Sequence, residues 1–230
     1  YVNLMPGMSG PSGTYLDLVR DFGSELKLPL FHACRIIDAP TARDAIRDGS
    51  VDMIGMTRAH LSDPHIVEKI ERGEETRIRP CVGATFCMDH RACIHNPSTG
   101  REASLPHRVK PADNKKRVVV VGGGPAGLEA ARVSASRGHE VILLEALEHV
   151  GGQIVLAASA GWRGEIIGIA DWLREEVHHD GVDVRTGVHA TRDTVIDLNP
   201  DMIVIATGGR PDLEWLDGHE HCDNVWDILA

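Results

Sequence analysis

Residues 117–145 read RVVVVGGGPAGLEAARVSASRGHEVILLE. Arg117–Val121 is an unbroken apolar run after its first residue, the pattern of a parallel strand buried on both faces. Gly122, Gly124 and Gly127 follow in the spacing G-x-G-x-x-G, with Pro125 and Ala126 between the last two. Proline there suits the first turn of a helix, predicted over Pro125–Arg137 and stopped by Gly138. Glu140–Glu145 is a second strand, and its last residue is an acid eighteen positions after Gly127. The glycine spacing alone is a weak signal. Between a buried strand and a helix, with an acid closing the next strand, it is the full fingerprint of a dinucleotide-binding βαβ unit. The first glycine permits the tight turn, the second lets backbone approach a pyrophosphate, and the third lets helix and strand pack closely. The helix N-terminus offers free N–H groups and the positive end of its dipole to the anion. Glu145 is expected to accept hydrogen bonds from adenosine ribose hydroxyls. An acid there disfavours a 2′-phosphate, so FAD or NAD suits the site better than NADP.

Downstream pieces extend this reading. Gly151-Gly152-Gln153 follows the second strand and is expected to bring backbone near the diphosphate or a flavin. Glu165–His179 is a long amphipathic helix and Val182–Arg185 a short strand. Met202–Ala206 reads as a final buried strand leading into Thr207-Gly208-Gly209. Ala206-Thr207-Gly208-Gly209 resembles the segment that closes the FAD-binding fold in flavoproteins of the pyridine-nucleotide-disulfide type.

Composition narrows the function classes. Acids outnumber Lys and Arg by 34 to 24, for a net charge of -10. That balance argues against nucleic acid as the main partner, because phosphate binding needs a basic face. No run of apolar residues is long enough for a membrane span, and no leader is visible, so a cytoplasmic protein is expected. Tyr1-Val2-Asn3-Leu4 reads like a strand already under way, and Trp226–Ala230 stops without a closing element. Both ends read as those of a piece of a longer polypeptide.

The first half alternates short strands and helices. Helices are expected over Gly13–Leu26, over Ala39–Asp48 with Thr41 as N-cap, and over Asp63–Arg72 with Pro64 in its first turn. Strands are expected over Leu28–Ala33 and Val51–Gly55. This order implies a parallel sheet, and the half looks like consecutive βα units of a larger α/β barrel. His32-Ala33-Cys34-Arg35 follows one strand and Gly55-Met56-Thr57-Arg58 the next. Barrel sites lie at the C-terminal ends of strands, and two cations there suit a phosphate; rim salt bridges are the alternative use of Arg35 and Arg58. Residues 103–116, with two prolines and no apolar period, read as a linker.

Three of the five cysteines, Cys81, Cys87 and Cys93, fall within thirteen residues of the stretch RPCVGATFCMDHRACIHN. Clustered thiolates are soft ligands for an iron–sulfur cluster or zinc. Neither gap is the C-x-x-C of a zinc ribbon, although His90 and His95 lie nearby.

The run from Phe31 to Glu102 is similar to the iron–sulfur flavoenzymes that include trimethylamine dehydrogenase, 2,4-dienoyl-CoA reductase and the N-methylproline demethylases. The residues carrying the likeness are Arg79-Pro80-Cys81-Val82-Gly83, Cys87, Cys93-Ile94-His95-Asn96-Pro97, Gly100-Arg101-Glu102 and the spacing to Gly122. GMTRAHLSDPHIV and CIHNPSTGRE are most similar to the N-methyl amino-acid demethylase branch. The resemblance implies an α/β chain: C-terminal units of an FMN-binding TIM barrel (1–79), a 4Fe-4S segment (80–102), the linker, and a Rossmann-like FAD- or ADP-binding domain (117–230). It implies FMN phosphate held by backbone around Cys34, Met56 and Thr57 and by Arg58 and Arg35, and a cluster on Cys81, Cys87 and Cys93. It places the nucleotide against Gly122, Gly124, Pro125, Ala126, Gly127, Glu145, Gly152, Gln153, Ala206, Thr207 and Gly208. The family sequence differs in having C-x2-C-x2-or-3-C and then, after about eleven or twelve residues, a fourth Cys. Here Ala84 stands at the second position and five residues separate Cys87 from Cys93. The fourth site is then open, or filled by a group such as Asp89 or His90, and a three-iron cluster is conceivable.

The expected activity is a flavin- and iron–sulfur-dependent oxidoreductase that relays electrons between FMN, the cluster and FAD or NAD(P)H. The favoured reaction is oxidative N-demethylation of a methylated amino acid or amine. Reduction of an enoyl thioester is the alternative, and a non-catalytic, ADP-binding electron-transfer module is another. The expected partners are a small-molecule substrate, an electron-transfer protein and further copies of the chain. Catalytic acids and bases would lie on earlier barrel strands, so none is named.

Overall fold

The computed structural model describes residues 10–229. The strand expected at Tyr1–Leu4 lies outside them. The chain divides into two compact units, residues 1–107 and 108–230, and both are mixed α/β with parallel sheets.

The first unit runs α1 (Leu16–Ser24), β1 (Phe31–His32), α2 (Ala39–Arg47), β2 (Met53–Ile54), α3 (Thr57–Ser62), α4 (Ile66–Glu71) and α5 (Phe86–His90). β1 and β2 pair in parallel, Phe31 opposite Met53 and His32 opposite Ile54. Asp38, not Thr41, is the N-cap of α2. Its Oδ1 accepts from the Thr41 amide at 2.7 Å and its Oδ2 from the Thr41 hydroxyl at 2.9 Å. Asp is the stronger cap and sits one residue before Ala39-Pro40, where the helix begins. The helix expected over Asp63–Arg72 is α4, which starts at Ile66, and a separate helix, α3, precedes it. Asp63 separates them in extended conformation, and its Oδ1 accepts the His65 amide at 2.9 Å. The other oxygen takes the Lys69 ammonium at 2.6 Å and the Arg79 amide at 2.8 Å.

The second unit continues with β3 (Arg117–Val121), α6 (Pro125–Ser136), β4 (Glu140–Leu144), α7 (Gln153–Ala158), α8 (Ile167–His179), β5 (Asp183–Arg185), α9 (Arg192–Ile196), β6 (Met202–Ile205) and α10 (Val225–Leu229). Its four parallel strands lie in the order β5-β4-β3-β6. Val118, Val119 and Val120 are fully enclosed, as their run predicted. Strand alternation sends Val119, Ile142 and Leu144 to one face, against Val195 of α9. α6 packs on β3 and β4, and α8 packs on α6. β6 departs from expectation: Met202, Ile203 and Ile205 are exposed. It pairs only with β3, at the edge of the sheet, so among the described residues its apolar pattern is not matched by a cover on both sides. No helix among the described residues is long and apolar enough to cross a membrane.

Candidate functional site

In the second unit, β3 is flanked by β4 on one side and β6 on the other. The chain therefore leaves β3 toward one neighbour and returns eighty residues later to the other, which opens a crevice at the strands' C-terminal ends. Three sequence-distant segments meet there. The Gly122 amide donates to the Leu144 carbonyl, and the Ala206 amide to the Val121 carbonyl, each at 2.8 Å. The Gly151 amide donates to the Gly123 carbonyl at 2.8 Å. The Gln153 side-chain amide donates to the Gly209 carbonyl at 3.0 Å. Gly152 stands over Gly124, since a β-carbon on it would lie 3.0 Å from the Gly124 α-carbon.

The glycine loop has the shape of a phosphate cradle. Gly122 has φ of +106°, and a β-carbon there would collide with the Ala206 carbonyl. A β-carbon on Gly124 would meet nothing within 4 Å, so that position faces open space. Gly124 is also the N-cap of α6 and has no side chain to bond the first-turn amides. Those donors, on Ala126 and Gly127 after the Pro125 ring, are presented to whatever anion occupies the space. Thr207 and Gly208 are exposed at the same rim. The residues fit a dinucleotide diphosphate.

Glu145, just past the end of β4, has a second job that the sequence did not suggest. Its Oε2 accepts the Gly123 amide at 2.6 Å and its Oε1 the Leu147 amide at 2.8 Å. Each carboxylate oxygen keeps further acceptor capacity for a ribose hydroxyl. Gly123, unremarked in the sequence pattern, is tied to this role: a β-carbon on it would lie 2.9 Å from Glu145 Oε2 and 2.8 Å from Val150 Cγ1. A cavity of this unit lies among Lys115, Arg117, His139 and Asp183, at the opposite ends of the strands, away from the crevice.

In the first unit, Cys81, Cys87 and Cys93 line one cavity together with Arg58, Ala84, Thr85, Phe86 and His95. The segment carrying them is fastened to α3. The Ser62 hydroxyl donates to the Pro80 carbonyl at 2.8 Å, and Asn96 Nδ2 and the Thr99 hydroxyl both donate to the Leu61 carbonyl, at 3.1 and 2.8 Å. Arg79 Nη1 grips the His95 carbonyl at 2.6 Å. Cys93 Sγ accepts the His95 amide at 3.4 Å. Burial pushes the Cys81 thiol up, against the backbone N–H of Gly83 and the Arg58 cation, which favour the thiolate. Backbone N–H groups thus already serve two of the three sulfurs, the arrangement that stabilises metal-bound thiolates. No group of three or more His, Cys, Asp or Glu among the described residues is placed to hold a metal ion. Asp89 and His90 are exposed on α5 and do not line the cavity.

The residues expected at a barrel phosphate lie on two segments, Arg35 after β1 and Met56–Arg58 after β2. Arg35 is 3% exposed, with φ of +53°, and its Nε donates to the Gly10 carbonyl at 2.7 Å. Its own carbonyl receives the Gly13 amide and the Ser12 hydroxyl, so it organises the 10–13 loop. Met56 caps α3, and its carbonyl accepts the His60 amide at 3.0 Å. Thr57 is exposed beside it, whereas Arg58 lines the cysteine cavity. His32 ends β1, and burial holds its pKa below the ordinary histidine value.

The chain is 51% identical over its whole length to a multifunctional alkene reductase/demethylase of Caballeronia cordobensis, of which it covers 34%. It is 44% identical over 99% of its length to a probable N-methylproline demethylase of Rhizobium meliloti, of which it covers 35%. A solved 2-naphthoyl-CoA reductase in complex with 2-naphthoyl-CoA superposes with a TM-score of 0.88 over 99% of this chain and 36% of that one, at 27% identity. The chain thus spans about a third of the length of the relatives it matches. The resemblance read from the motifs is borne out, and the relatives are oxidoreductases by name. The model of the pyridine nucleotide-disulphide oxidoreductases matches residues 73–221, and the chain belongs to that family.

Proposed function

We propose that this chain is the cofactor-bearing part of a flavin- and iron–sulfur-dependent oxidoreductase whose favoured reaction is oxidative N-demethylation of a methylated amino acid or amine. The observation that carries the reading is the meeting of Gly122–Gly127, Gly151–Gln153 and Ala206–Gly209 at one end of a parallel sheet. Residues 117–230 are read as a Rossmann-like domain and residues 1–79 as the last units of a TIM barrel. The α6 N-terminus receives the diphosphate of FAD, Glu145 orients the ribose, and Gln153 with Thr207 and Gly208 closes the rim. Cys81, Cys87 and Cys93 hold an iron–sulfur cluster, supported by their common cavity. Backbone at Met56 and Thr57, with Arg58, holds FMN phosphate on the strength of the resemblance; Arg35 shapes the adjoining loop. When bound, flavin, cluster and NAD(P)H supply hydride and single-electron transfer, and the protein supplies position and electrostatics. The demethylase names among the relatives support the substrate class, and the alkene-reductase name supports enoyl reduction as the second reading.

The visible spectrum of the full-length protein, followed by acid release and identification of its cofactors, tests this. FMN with FAD, iron, and bleaching by a methylated amino acid is the expected result. FMN with ADP would recast the nucleotide domain as structural, and absence of flavin and iron would sink the enzyme reading.

A further inference from the structure

We propose that the cavity at the N-terminal ends of β3, β4 and β5 binds a small zwitterion, a molecule of the amino-acid class that carries an ammonium and a carboxylate together. The cavity exists because α9 is too short for the sheet it covers. A five-residue helix spans about 7.5 Å, whereas the five-residue strands β3 and β4 span about 17 Å. Val195 of α9 packs on Val119, Ile142 and Leu144. Side chains alternate along a strand, so Arg117 stands on the same face two positions before Val119, and Glu140 two before Ile142. Register sets Asp183 beside Ile142 and Arg185 beside Leu144 on that face. The space that α9 leaves open holds about 460 Å³, within the roughly 300–1,000 Å³ of small-molecule sites.

The lining carries both signs in balance. Lys115, Arg117 and Arg185 stand against Glu140, Asp183 and Asp197. These charges are only partly engaged with one another. Arg117 Nε donates to Glu140 Oε1 at 2.9 Å, and its Nη1 to the Leu198 carbonyl at 3.3 Å. Arg185 donates through Nε and Nη2 to a single oxygen, Asp183 Oδ2, at 3.0 and 2.7 Å. Each pair therefore keeps one carboxylate oxygen and further guanidinium N–H groups for a ligand. The side chains of Lys115 and Asp197 make no hydrogen bond or ion pair among the described residues. A lone anion in this cavity meets three carboxylates as well as three cations, and a lone cation meets the reverse. A ligand that brings both charges satisfies both sets, and Ile142 and Leu198 add apolar surface for its carbon skeleton.

Equilibrium dialysis of the full-length protein against radiolabelled β-alanine and glycylglycine tests this. ADP is present to fill the crevice, and acetate and methylamine serve as competitors of a single charge. Neither probe carries an N-methyl group, so neither is a substrate of the proposed demethylation. Saturable binding that ADP leaves undiminished is expected. Acetate or methylamine alone is expected not to displace the probe at concentrations where the unlabelled zwitterion does. Lys115→Gln and Asp197→Asn, both at exposed positions, are each expected to weaken binding about tenfold, the scale of one lost charge-assisted hydrogen bond. Absence of saturable binding of both probes to the parent overturns the proposal without any variant having to fold. Displacement by acetate alone or methylamine alone overturns it too. So does binding that both variants leave intact, because the zwitterion then sits elsewhere on the protein.

Discussion

Gly127 lies directly beneath Gly122: a β-carbon on Gly127 would overlap the Gly122 carbonyl oxygen. The start of α6 is therefore pressed against the turn that leaves β3, and the amides of the first helical turn are brought to the open side of the loop. Gly124, between them, has no neighbour that a methyl would touch. The two glycines serve different ends, one the packing and the other the ligand.

That difference is measurable. Gly127→Ala must push helix and strand apart and is expected to destabilise the second unit by about 2–3 kcal/mol, in the range of an overpacked core. Gly124→Ala keeps the fold, because its methyl enters empty space, but weakens ADP and FAD binding. Thermal melts with and without ADP separate the cases. A Gly124→Ala protein that binds ADP like the parent would show that the diphosphate lies elsewhere.

Glu145→Gln probes the carboxylate that joins Gly123 to Leu147. An amide side chain has one acceptor oxygen, so one of the two backbone N–H groups must face an NH2 group. The cost is about 1–3 kcal/mol. ADP affinity is expected to fall roughly tenfold or more, and discrimination against a 2′-phosphorylated ADP to shrink. Calorimetric titration with both nucleotides reads both effects.

Asp63 makes the first unit sensitive to acid. Burial pushes its carboxyl up, but the Lys69 ammonium and the amides of Arg79 and His65 outweigh it and hold the pKa below the ordinary aspartate value. A group depressed on folding contributes its stability above its unfolded pKa and loses it as pH falls through the folded one. The parent is expected to keep this contribution down to the ordinary aspartate range and lose it only below. Asp63→Asn removes that acid limb, and at neutral pH it costs about 3–5 kcal/mol by leaving Lys69 without its buried counter-ion. Melting temperature followed against pH for both proteins checks this.

Arg79→Met cuts the bond from Nη1 to the His95 carbonyl and fills the space with an apolar chain. The loop carrying Cys93 then has one fewer tether to the segment leading to Cys81. We expect a loss of about 2 kcal/mol, the worth of a charge-assisted bond, and less iron per chain after purification. Iron and sulfide analysis beside the parent is the measurement. Unchanged iron would mean that the bonds from Ser62, Asn96 and Thr99 suffice.

The unit from Arg117 to Leu144 was legible in the sequence to within one residue at each boundary. Its signals are local: a buried strand, three glycines at fixed offsets, a proline at a helix start. The cysteine cluster was legible for the same reason, as close spacing along the chain. Local signals also misled where two were near each other. Thr41 resembled a cap until Asp38, three residues earlier, took its amide, and Asp63 resembled a helix start while its carboxylate was engaged by Lys69 and Arg79.

What no local pattern contained was the company each segment keeps. The strand order β5-β4-β3-β6 brings Ala206 against Gly122, and the turn after β4 brings Gly151 to Gly123 and Gln153 to Gly209. The same holds for Arg58, which follows a strand in the sequence and lines the cysteine cavity in the structure. The sequence by itself determined which residue types could bind a nucleotide or a metal, because side-chain chemistry and short-range backbone geometry are set within a few residues. Only the tertiary structure decided which of them share a site, because that depends on hydrogen bonds and packing between segments tens of residues apart.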